Sequence, residues 1–327
     1  MQIVVVPASP KTGQATIRAL LDDPSEPAVT GVYRDPGKVP TDFKEHPRFR
    51  IGKGDVADVG SLDFSGADAV VTITPPQYSQ SKPITRAREM AANVKYAIGR
   101  AGDSVKRVVY VSSVGAQLEH GTGEIKTNYE AEQALVGAAP EVVFVRCAYF
   151  MENWATALET VKAKPPFFYS VISPSDYKIP MVSKKFLSVV MQAEGERRLA
   201  GTLMPLVKVS VRDIGRTCAA QVLAAGSPLS ENPYIFDLHG PETYSTQDVQ
   251  KALEEVTGKD VEARVVENDQ LEGFFAEAFK PPMAGMFVEM TRSFLPGGVG
   301  EKDMNEGARV QRGRDTLGEV LRRMMEQ

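Results

Sequence analysis

The sequence predicts an α/β fold, in which a doubly wound parallel sheet is followed by a smaller mixed α/β lobe. The β-branched run Ile3 to Val6 has no polar alternation, which is typical of a strand buried on both faces. The segment Pro7 to Gly13 predicts a turn, and from Gln14 onward Ile17 and Leu20 follow helical spacing. A strand, a turn and a helix in this order form the first unit of a dinucleotide-binding Rossmann fold.

Later apolar runs predict the rest of the sheet and the helices between its strands. The predicted strands are Ala28 to Tyr33, Arg50 to Gly52, Ala67 to Thr74, Val105 to Ser113, Glu141 to Arg146 and Tyr234 to Leu238. In the helix predicted from Asn128 to Gly137, Glu132 is expected to face outward. We expect residues 1–154 to form the NAD(P)-binding domain and 155–327 mainly the substrate-binding lobe, with segments of about 205–240 returning to the sheet.

Composition narrows the class of protein. The 327 residues carry a formal net charge of -4, which argues against a nucleic-acid-binding face. Cys147 and Cys218 stand in apolar contexts without metal-ligand spacing, as expected of buried thiols in a reducing compartment. No apolar run is long enough to span a membrane, and the first strand directly after Met1 leaves no room for a signal peptide. We therefore expect a cytoplasmic protein without a metal site.

The first turn departs from the usual dinucleotide-binding pattern. Glycines in that turn normally allow backbone N–H groups to approach a pyrophosphate at the helix N-terminus. Only Gly13 occupies a glycine position here, and Pro7 and Pro10 replace the other two. Because proline has no N–H, we expect weakened pyrophosphate binding. The candidate phosphate-binding residues of this turn are Ser9, Lys11, Thr12 and Gly13.

The end of the second strand indicates the form of the dinucleotide. An acidic residue there would bind the ribose 2′-OH of NAD, whereas an arginine accommodates the 2′-phosphate of NADP. Arg34 follows this strand directly, with Lys38 close behind, so the sequence favours NADP(H). A solvent-exposed basic turn is the alternative. Asp55 and Val56, after the third strand, are expected to border the adenine ring.

Ligands of such folds bind beyond the carboxyl ends of the strands, where further candidates lie. The fourth strand ends at Pro75-Pro76, and the fifth ends in two serines. A serine at this point can face the ligand or cap the next turn, and both interpretations stay open. The candidate cofactor neighbours at these ends are Thr72, Thr74, Pro75, Gln77 and Ser112.

Several segments together resemble the NmrA-like family of atypical short-chain dehydrogenase/reductases. They are RDPGK at 34–38, GDVADVGSL at 54–62, VVTITPP at 70–76, VKRVVYVSSVGA at 105–116, NYEAEQAL at 128–135, VFVRCAYFMENW at 143–154 and VKVSVRDIGRTCAA at 207–220. The resemblance implies a Rossmann-type fold that binds NADP(H), and it adds Tyr149, Phe150 and Asn153 to the cofactor-binding set. Members include reductases of quinones and conjugated carbonyls, redox-sensing regulators and enzymes of fungal secondary metabolism.

The catalytic positions of the resembling proteins are only partly kept. Where many of them carry a catalytic lysine, this chain has Asn128, which cannot supply a positive charge. Tyr129 is a candidate proton donor, although a surface tyrosine is the alternative and the lysine four residues later is replaced by Gln133. Ser113 and Asn128 are candidates for orienting a carbonyl by hydrogen bonds. His120 is a candidate acid or base, or simply a solvated loop residue.

These features lead to two function classes. The first is an NADP(H)-dependent oxidoreductase acting on a hydrophobic, aromatic or polyketide-like small molecule, and Arg34 supports it. The second is a redox-neutral isomerase or cyclase, or a cofactor-sensing regulator, and Pro7, Pro10 and Asn128 support it. For either class we expect a monomer or homodimer with a small-molecule partner and no membrane association.

Overall fold

The computed structural model describes residues 1–78, 81–182, 212–302 and 309–326. Its largest element is an eight-stranded sheet with helices on both faces, as the sequence predicts. The strands are β1 Gln2–Val6, β2 Ala28–Tyr33, β3 Phe49–Lys53, β4 Ala69–Ile73, β5 Arg107–Ser113, β6 Glu141–Cys147, β7 Tyr149–Phe150, β8 Phe167–Ser170, β9 Ile179–Val182, β10 Tyr234–His239, β11 Thr243–Tyr244, β12 Glu262–Val265 and β13 Val310–Arg312. The α-helices are α1 Lys11–Leu21, α2 Thr41–Lys44, α3 Pro83–Arg100, α4 Lys126–Leu135, α5 Ala157–Thr160, α6 Arg212–Leu223, α7 Thr246–Thr257, α8 Leu271–Ala278, α9 Met283–Phe294 and α10 Leu317–Met325.

The large sheet is parallel throughout, with the strand order β3-β2-β1-β4-β5-β6-β10-β13. All five residues of β4 are buried, which explains why this strand is apolar without alternation. The chain crosses from one half of the sheet to the other beside β1, which pairs with both β2 and β4. The carboxyl ends of β1 and β4 therefore open onto the crevice where such folds bind ligands.

Two helical layers cover the sheet. On one face α1 packs against α6 so closely that a Cβ at Gly215 would lie 2.6 Å from the backbone of Ala15. On the other face α3 packs against α4, and Met90, Val94 and Leu135 contribute to the core between these helices and the strands. Apolar residues on both faces of the sheet thus form two separate hydrophobic cores.

The remaining elements form the smaller lobe. It contains the sheet β11-β9-β7, the parallel pair β12-β8, and the helices α8 and α9, which pack against each other. The capping-box-like pattern of the sequence is confirmed at α7, where the Ser245 side chain accepts from the Asp248 N–H and the Asp248 carboxylate accepts from the Ser245 N–H. Strand β10 returns from the second half of the chain to pair with β6 in the large sheet.

Some expectations differ from the structure or lie outside the described residues. Helix α1 begins at Lys11 and not at Gln14, because Pro10 takes the N-cap position with its fixed φ of -58°. Glu132 does not face outward: it is 2% exposed and is paired with Arg146, whose side chain is 13% exposed. The strand-like pieces expected between Gly201 and Val211 lie outside the described residues.

The two cysteines are both buried, as the sequence predicts. Within the part of the chain that the structure describes, no helix has the length and apolar character needed to cross a membrane.

Candidate functional site

A cavity of about 590 Å³ lies at the carboxyl ends of β4, β5 and β6. The large sheet forms its floor, and residues of the smaller lobe, mainly from α8 and α9, close it from above. Its volume lies within the range of pockets that enclose a small molecule. The position agrees with the crevice expected for a ligand of a doubly wound sheet.

Many of the residues predicted from the sequence meet at this cavity. Ser9 and Lys11 reach it from the first turn, and Thr74, Pro75 and Gln77 reach it from the segment after β4. From the other strands and α4 come Ser112, Ser113, Asn128, Tyr149, Phe150 and Asn153. The structure therefore brings eleven of the predicted residues to one ligand-sized space.

Other predicted residues lie outside the cavity lining. Thr12, Gly13 and Thr72 are buried next to it, while Asp55 and Val56 follow β3 and the exposed Arg34 and Lys38 follow β2. Tyr129 is half-buried, and the Lys126 ammonium lies 5.4 Å from its ring centroid. His120 is exposed, with its imidazole 3.7 Å from the Glu119 carboxylate. Of the four catalytic candidates, Ser113 and Asn128 line the cavity.

The first turn retains the close packing that a dinucleotide-binding unit requires. A Cβ at Gly13 would lie 2.8 Å from the Pro7 carbonyl oxygen and 3.0 Å from that of Ala8, so only glycine fits there. The N–H groups of Thr12 and Gly13 precede the first intrahelical hydrogen bond, from the Gln14 N–H to the Pro10 carbonyl. The helix N-terminus and Lys11 thus suit a pyrophosphate, although Pro7 and Pro10 offer no N–H of their own.

The Ala8 N–H of the same turn is not available to a phosphate. It donates to the Val32 carbonyl at 2.8 Å and so ties the turn to β2. Directly after β2, the Arg34 side chain is 82% exposed, and its guanidinium lies 3.8 Å from the Asp55 carboxylate. An exposed arginine and the nearby Lys38 present the charge that a ribose 2′-phosphate requires. The residues present therefore fit NADP(H).

A chain of hydrogen bonds fixes the orientation of Asn128. The Thr74 hydroxyl lies 3.0 Å from the hydroxyl of the fully buried Tyr110, which donates to Asn128 Oδ1 at 3.1 Å. Burial raises the pKa of the Tyr110 phenol, and the hydrogen bond from Thr74 opposes this shift only in part. Tyr110 therefore remains a neutral donor, which directs the Asn128 carbonyl toward β5 and leaves the amide N–H groups for the cavity.

A buried ion pair lies beneath the two serines of β5. The Arg146 guanidinium donates to both carboxylate oxygens of Glu132, at 2.9 and 2.7 Å, and the Ser112 hydroxyl donates to the same carboxylate at 2.5 Å. Since the Ser112 hydroxyl donates its proton to Glu132, the oxygen can serve another group only as an acceptor. Sequence reasoning missed this network, although Glu132 lies four residues after Asn128 and thus on the same helix face.

Aromatic side chains form most of the remaining wall. Tyr78 lies 6.0 Å from Phe287 between ring centroids, and Phe287 stacks on Phe275 at 5.7 Å. Tyr149 lies 5.9 Å from Phe294, and burial raises the pKa of its phenol to about 12. Sequence reasoning missed the contribution of α8 and α9 to this wall, for which the Phe274-Phe275 pair was the available signal.

Comparison with protein families gives a match over residues 8–176, more than half of the chain, to the family described as NAD(P)H-binding. The chain belongs to this NAD(P)H-binding family. The predicted nicotinamide dinucleotide cofactor is thereby confirmed. A comparison with curated protein sequences gives no match.

Several solved structures share the fold of this chain. The NADPH complex of a quinone oxidoreductase from Escherichia coli has a TM-score of 0.66 and 16% identity, covering 99% of this chain and 100% of that one. The NADP(H) complex of triphenylmethane reductase from Citrobacter sp. has a TM-score of 0.65 and 17% identity, and the match covers 98% of this chain and 95% of that one. NmrA, a negative transcriptional regulator, has a TM-score of 0.63 and 15% identity, and the match covers 98% of this chain and 94% of that one. The family match confirms the NAD(P)H-binding part of the expected resemblance, and NmrA shares the fold that the resemblance implies.

Proposed function

We propose that the protein is an NADPH-dependent reductase whose hydride acceptor is a hydrophobic aromatic molecule. The cavity carries this proposal, because one space joins predicted cofactor neighbours such as Thr74 and Ser112 to a wall of aromatic rings. A nicotinamide bound beside the strand ends would therefore face an apolar compartment that is lined by aromatic rings. Quinone and triphenylmethane reductases with the same fold support this class of acceptor. Aromatic and polyketide-like compounds of secondary metabolism suit the same cavity.

In this proposal, each part of the chain has a separate task. Lys11 and the N-terminus of α1 hold the pyrophosphate, while Arg34 and Lys38 hold the 2′-phosphate. NADPH supplies the hydride when it is bound. The aromatic wall excludes water and holds the acceptor against the strand ends. Asn128, oriented by Tyr110, donates a hydrogen bond to an acceptor oxygen but cannot release a proton.

The test measures NADPH oxidation with menadione as a neutral aromatic acceptor. Asn128→Leu keeps the approximate size of the side chain and removes its donors, so we expect turnover to fall about 10²-fold with little change in NADPH affinity. Tyr129→Phe is the matched variant on the same helix. Because the Tyr129 ring lies outside the cavity lining, we expect its turnover to stay near that of the parent.

The two variants also separate the alternatives. A large loss of turnover in Tyr129→Phe together with normal turnover in Asn128→Leu would assign the donor role to Tyr129. If the parent binds NADPH but reduces neither quinones nor conjugated carbonyls, the reductase proposal fails. The first turn, in which Pro7 and Pro10 lack a backbone N–H donor, would then favour a redox-neutral enzyme or a cofactor-sensing regulator.

We also propose that the protein works in the cytoplasm, where a reducing environment keeps the buried Cys147 and Cys218 as thiols. The domain boundary near residue 154 stays a proposal as well. Beyond it, β10 and β13 belong to the large sheet and the other described strands to the smaller lobe.

A further inference from the structure

Three buried polar atoms in the lining of the cavity have no hydrogen-bond partner among the described residues. They are the side-chain oxygen of Asn153, the indole nitrogen of Trp154 and the hydroxyl oxygen of Thr291. Trp154 is only 3% exposed and Thr291 is fully buried. Buried polar groups are almost always paired in folded proteins. Three unpaired groups in the wall of one ligand-sized space therefore indicate that a bound molecule supplies their partners.

Thr291 lacks the bond that a buried hydroxyl on a helix usually makes. Such a hydroxyl commonly donates to the carbonyl three or four residues earlier. The Thr16 hydroxyl donates in this way to the Thr12 carbonyl at 2.8 Å, and on α9 itself the Ser293 hydroxyl donates to the Met290 carbonyl at 2.7 Å. The Thr291 hydroxyl has no partner within the described part of the chain, so its donor and acceptor capacity is left for a ligand.

The three side chains come from two elements that meet at one side of the cavity. Asn153 and Trp154 lie in the short helical turn that follows β7, and Thr291 lies on α9. The Tyr149 ring joins these elements, because its centroid lies 6.2 Å from that of Trp154 and 5.9 Å from that of Phe294. Phe294 follows Thr291 by three residues and thus lies on the same face of α9. The unpaired groups therefore belong to the stretch of wall around Tyr149.

This stretch of wall differs from the surroundings of Asn128 in position and suits a neutral ligand group. Asn128 is held by Tyr110 of β5, on the other side of β6 from the turn after β7. Among the described residues that line the cavity, none from that turn or from α9 carries a charge. An ionised ligand group would be buried here without a counter-charge, which is unfavourable.

The donors and acceptors of the three side chains match a hydroxyl group. The Trp154 indole N–H can only donate, the Asn153 side-chain oxygen can only accept, and the Thr291 hydroxyl can do either. A ligand hydroxyl can accept from Trp154, donate to Asn153 and offer its second lone pair to the proton of Thr291. A carbonyl or ether oxygen has no proton for Asn153 and would leave that oxygen unpaired.

Resting on the proposed reductase function, we propose that Asn153, Trp154 and Thr291 form a specificity subsite that binds a neutral hydroxyl group on the ring of the aromatic acceptor. Asn128 remains the donor to the oxygen at the reacting end, so the acceptor is held at two points. Two fixed points on a flat molecule determine which of its carbons faces the nicotinamide. The subsite thus selects hydroxylated acceptors and sets their orientation.

Binding of matched probes tests the subsite without any reaction. Benzylideneacetone is a flat conjugated carbonyl compound, and its meta- and para-hydroxy derivatives each add one ring hydroxyl, which is neutral at slightly acidic pH. In calorimetric titrations with saturating NADP⁺, we expect at least one hydroxylated probe to bind about tenfold tighter than benzylideneacetone. The methoxy derivative with the same substitution pattern accepts hydrogen bonds but donates none, so it should bind less tightly than the hydroxy probe.

Variants assign this preference to the proposed side chains. Thr291→Val replaces the hydroxyl with a methyl group of similar size, and we expect it to lose most of the preference while its affinity for benzylideneacetone stays unchanged. Thr291→Ser should restore the preference, and Trp154→Phe, which lacks the indole N–H, should lose it. Thr122→Val is the matched control and should keep the preference. Thr122 is also buried, and its hydroxyl has no partner among the described residues, but it lies outside the cavity lining.

Melting curves provide a readout that separates ligand recognition from a structural role. Because the Thr291 hydroxyl is unpaired in the free protein, its replacement by a methyl group should leave Tm unchanged or raise it. A lower Tm in Thr291→Val, or an equal weakening of all probes, would mean a packing role and overturn the inference.

The remaining outcomes also decide the inference. Equal affinity of the parent for probes with and without a hydroxyl overturns it, as expected if water alone fills the subsite. The nicotinamide carboxamide offers a donor and an acceptor as well, so weaker NADPH binding in the variants with an unchanged probe preference would assign these groups to the cofactor and overturn the inference. If menadione is reduced but no hydroxyl preference exists, the subsite fails and the reductase function stands. If the preference depends on Thr291 but NADPH is never oxidised, the subsite stands and the reductase function fails.

Discussion

The buried pair of Glu132 and Arg146 allows a sharp test of the structure beneath the site. Glu132→Gln keeps the shape of the side chain but removes its negative charge. In the parent, the carboxylate accepts two hydrogen bonds from the Arg146 guanidinium and one from the Ser112 hydroxyl. The glutamine oxygen can accept only some of these hydrogen bonds. The glutamine NH₂ group is itself a donor, so it cannot accept from the guanidinium or the hydroxyl that faces it. The side chain of Arg146 is only 13% exposed, so the variant removes the carboxylate that pairs at 2.7 Å with a largely buried guanidinium. We expect the free energy of unfolding to fall by about 3–5 kcal/mol.

Urea unfolding of the parent and the variant measures this loss through the transition midpoint. Glu130→Gln on the same helix is the control, because Glu130 pairs at 3.4 Å with Arg88, whose side chain is 66% exposed. Such a pair contributes less than about 1 kcal/mol. A loss in Glu132→Gln no larger than the loss in Glu130→Gln would refute the assigned role of the buried pair.

Three further predictions concern the cofactor and pH. Arg34→Ala should lower the preference for NADPH over NADH about tenfold, because it removes the exposed guanidinium placed for a 2′-phosphate. Replacing both Pro7 and Pro10 by glycine should tighten NADPH binding about tenfold. Two backbone N–H donors are gained, and this gain outweighs the entropic cost of ordering a more flexible loop. Burial, and the charge of Arg312, lower the pKa of His239 from 6.5 to about 4. The unfolded chain therefore takes up this proton first, and stability should fall by up to about 3 kcal/mol as the pH drops from 6.5 to 4.

Each of these predictions has its own contrary result. Equal affinity of the unmutated protein for NADPH and NADH would remove Arg34 from cofactor selection. Unchanged NADPH affinity in the double glycine variant, with a normal melting curve, would show that Pro7 and Pro10 are not an obstacle. His239→Gln should flatten the decline in stability below pH 6.5, and a variant that keeps the full decline would assign it to other groups.

The sequence predicted seven of the eight strands of the large sheet, most of them because they are short apolar runs, and it missed β13, whose sequence Val-Gln-Arg has no apolar pattern. Ala28–Tyr33 agrees residue for residue, and the other predicted strands of the sheet agree within two residues at each end. The start of α1 was placed three residues late, because Pro10 was interpreted as part of the turn and not as the N-cap. A helix that begins directly after a proline is consistent with the fixed φ of that residue.

The candidate site was less accessible to sequence reasoning. Ser112, Ser113 and Asn128 could be found because strand ends and helix starts are local features. Glu132 was assigned to the wrong face, since its burial depends on Arg146, a residue on a neighbouring strand. The wall formed by Phe275 and Phe287 depends on where the smaller lobe packs, which periodicity within a single helix does not show.

The central claim is that the protein transfers hydride from NADPH to an aromatic acceptor bound in the cavity. The most direct measurement uses NADPH labelled with deuterium at the transferred position, and determines by mass spectrometry whether the label appears on carbon in the reduction products of conjugated carbonyl compounds that carry an aromatic ring. We predict one deuterium per product molecule, with none incorporated from deuterated water at that carbon. A protein that binds labelled NADPH but transfers no label to any of these acceptors would contradict the account.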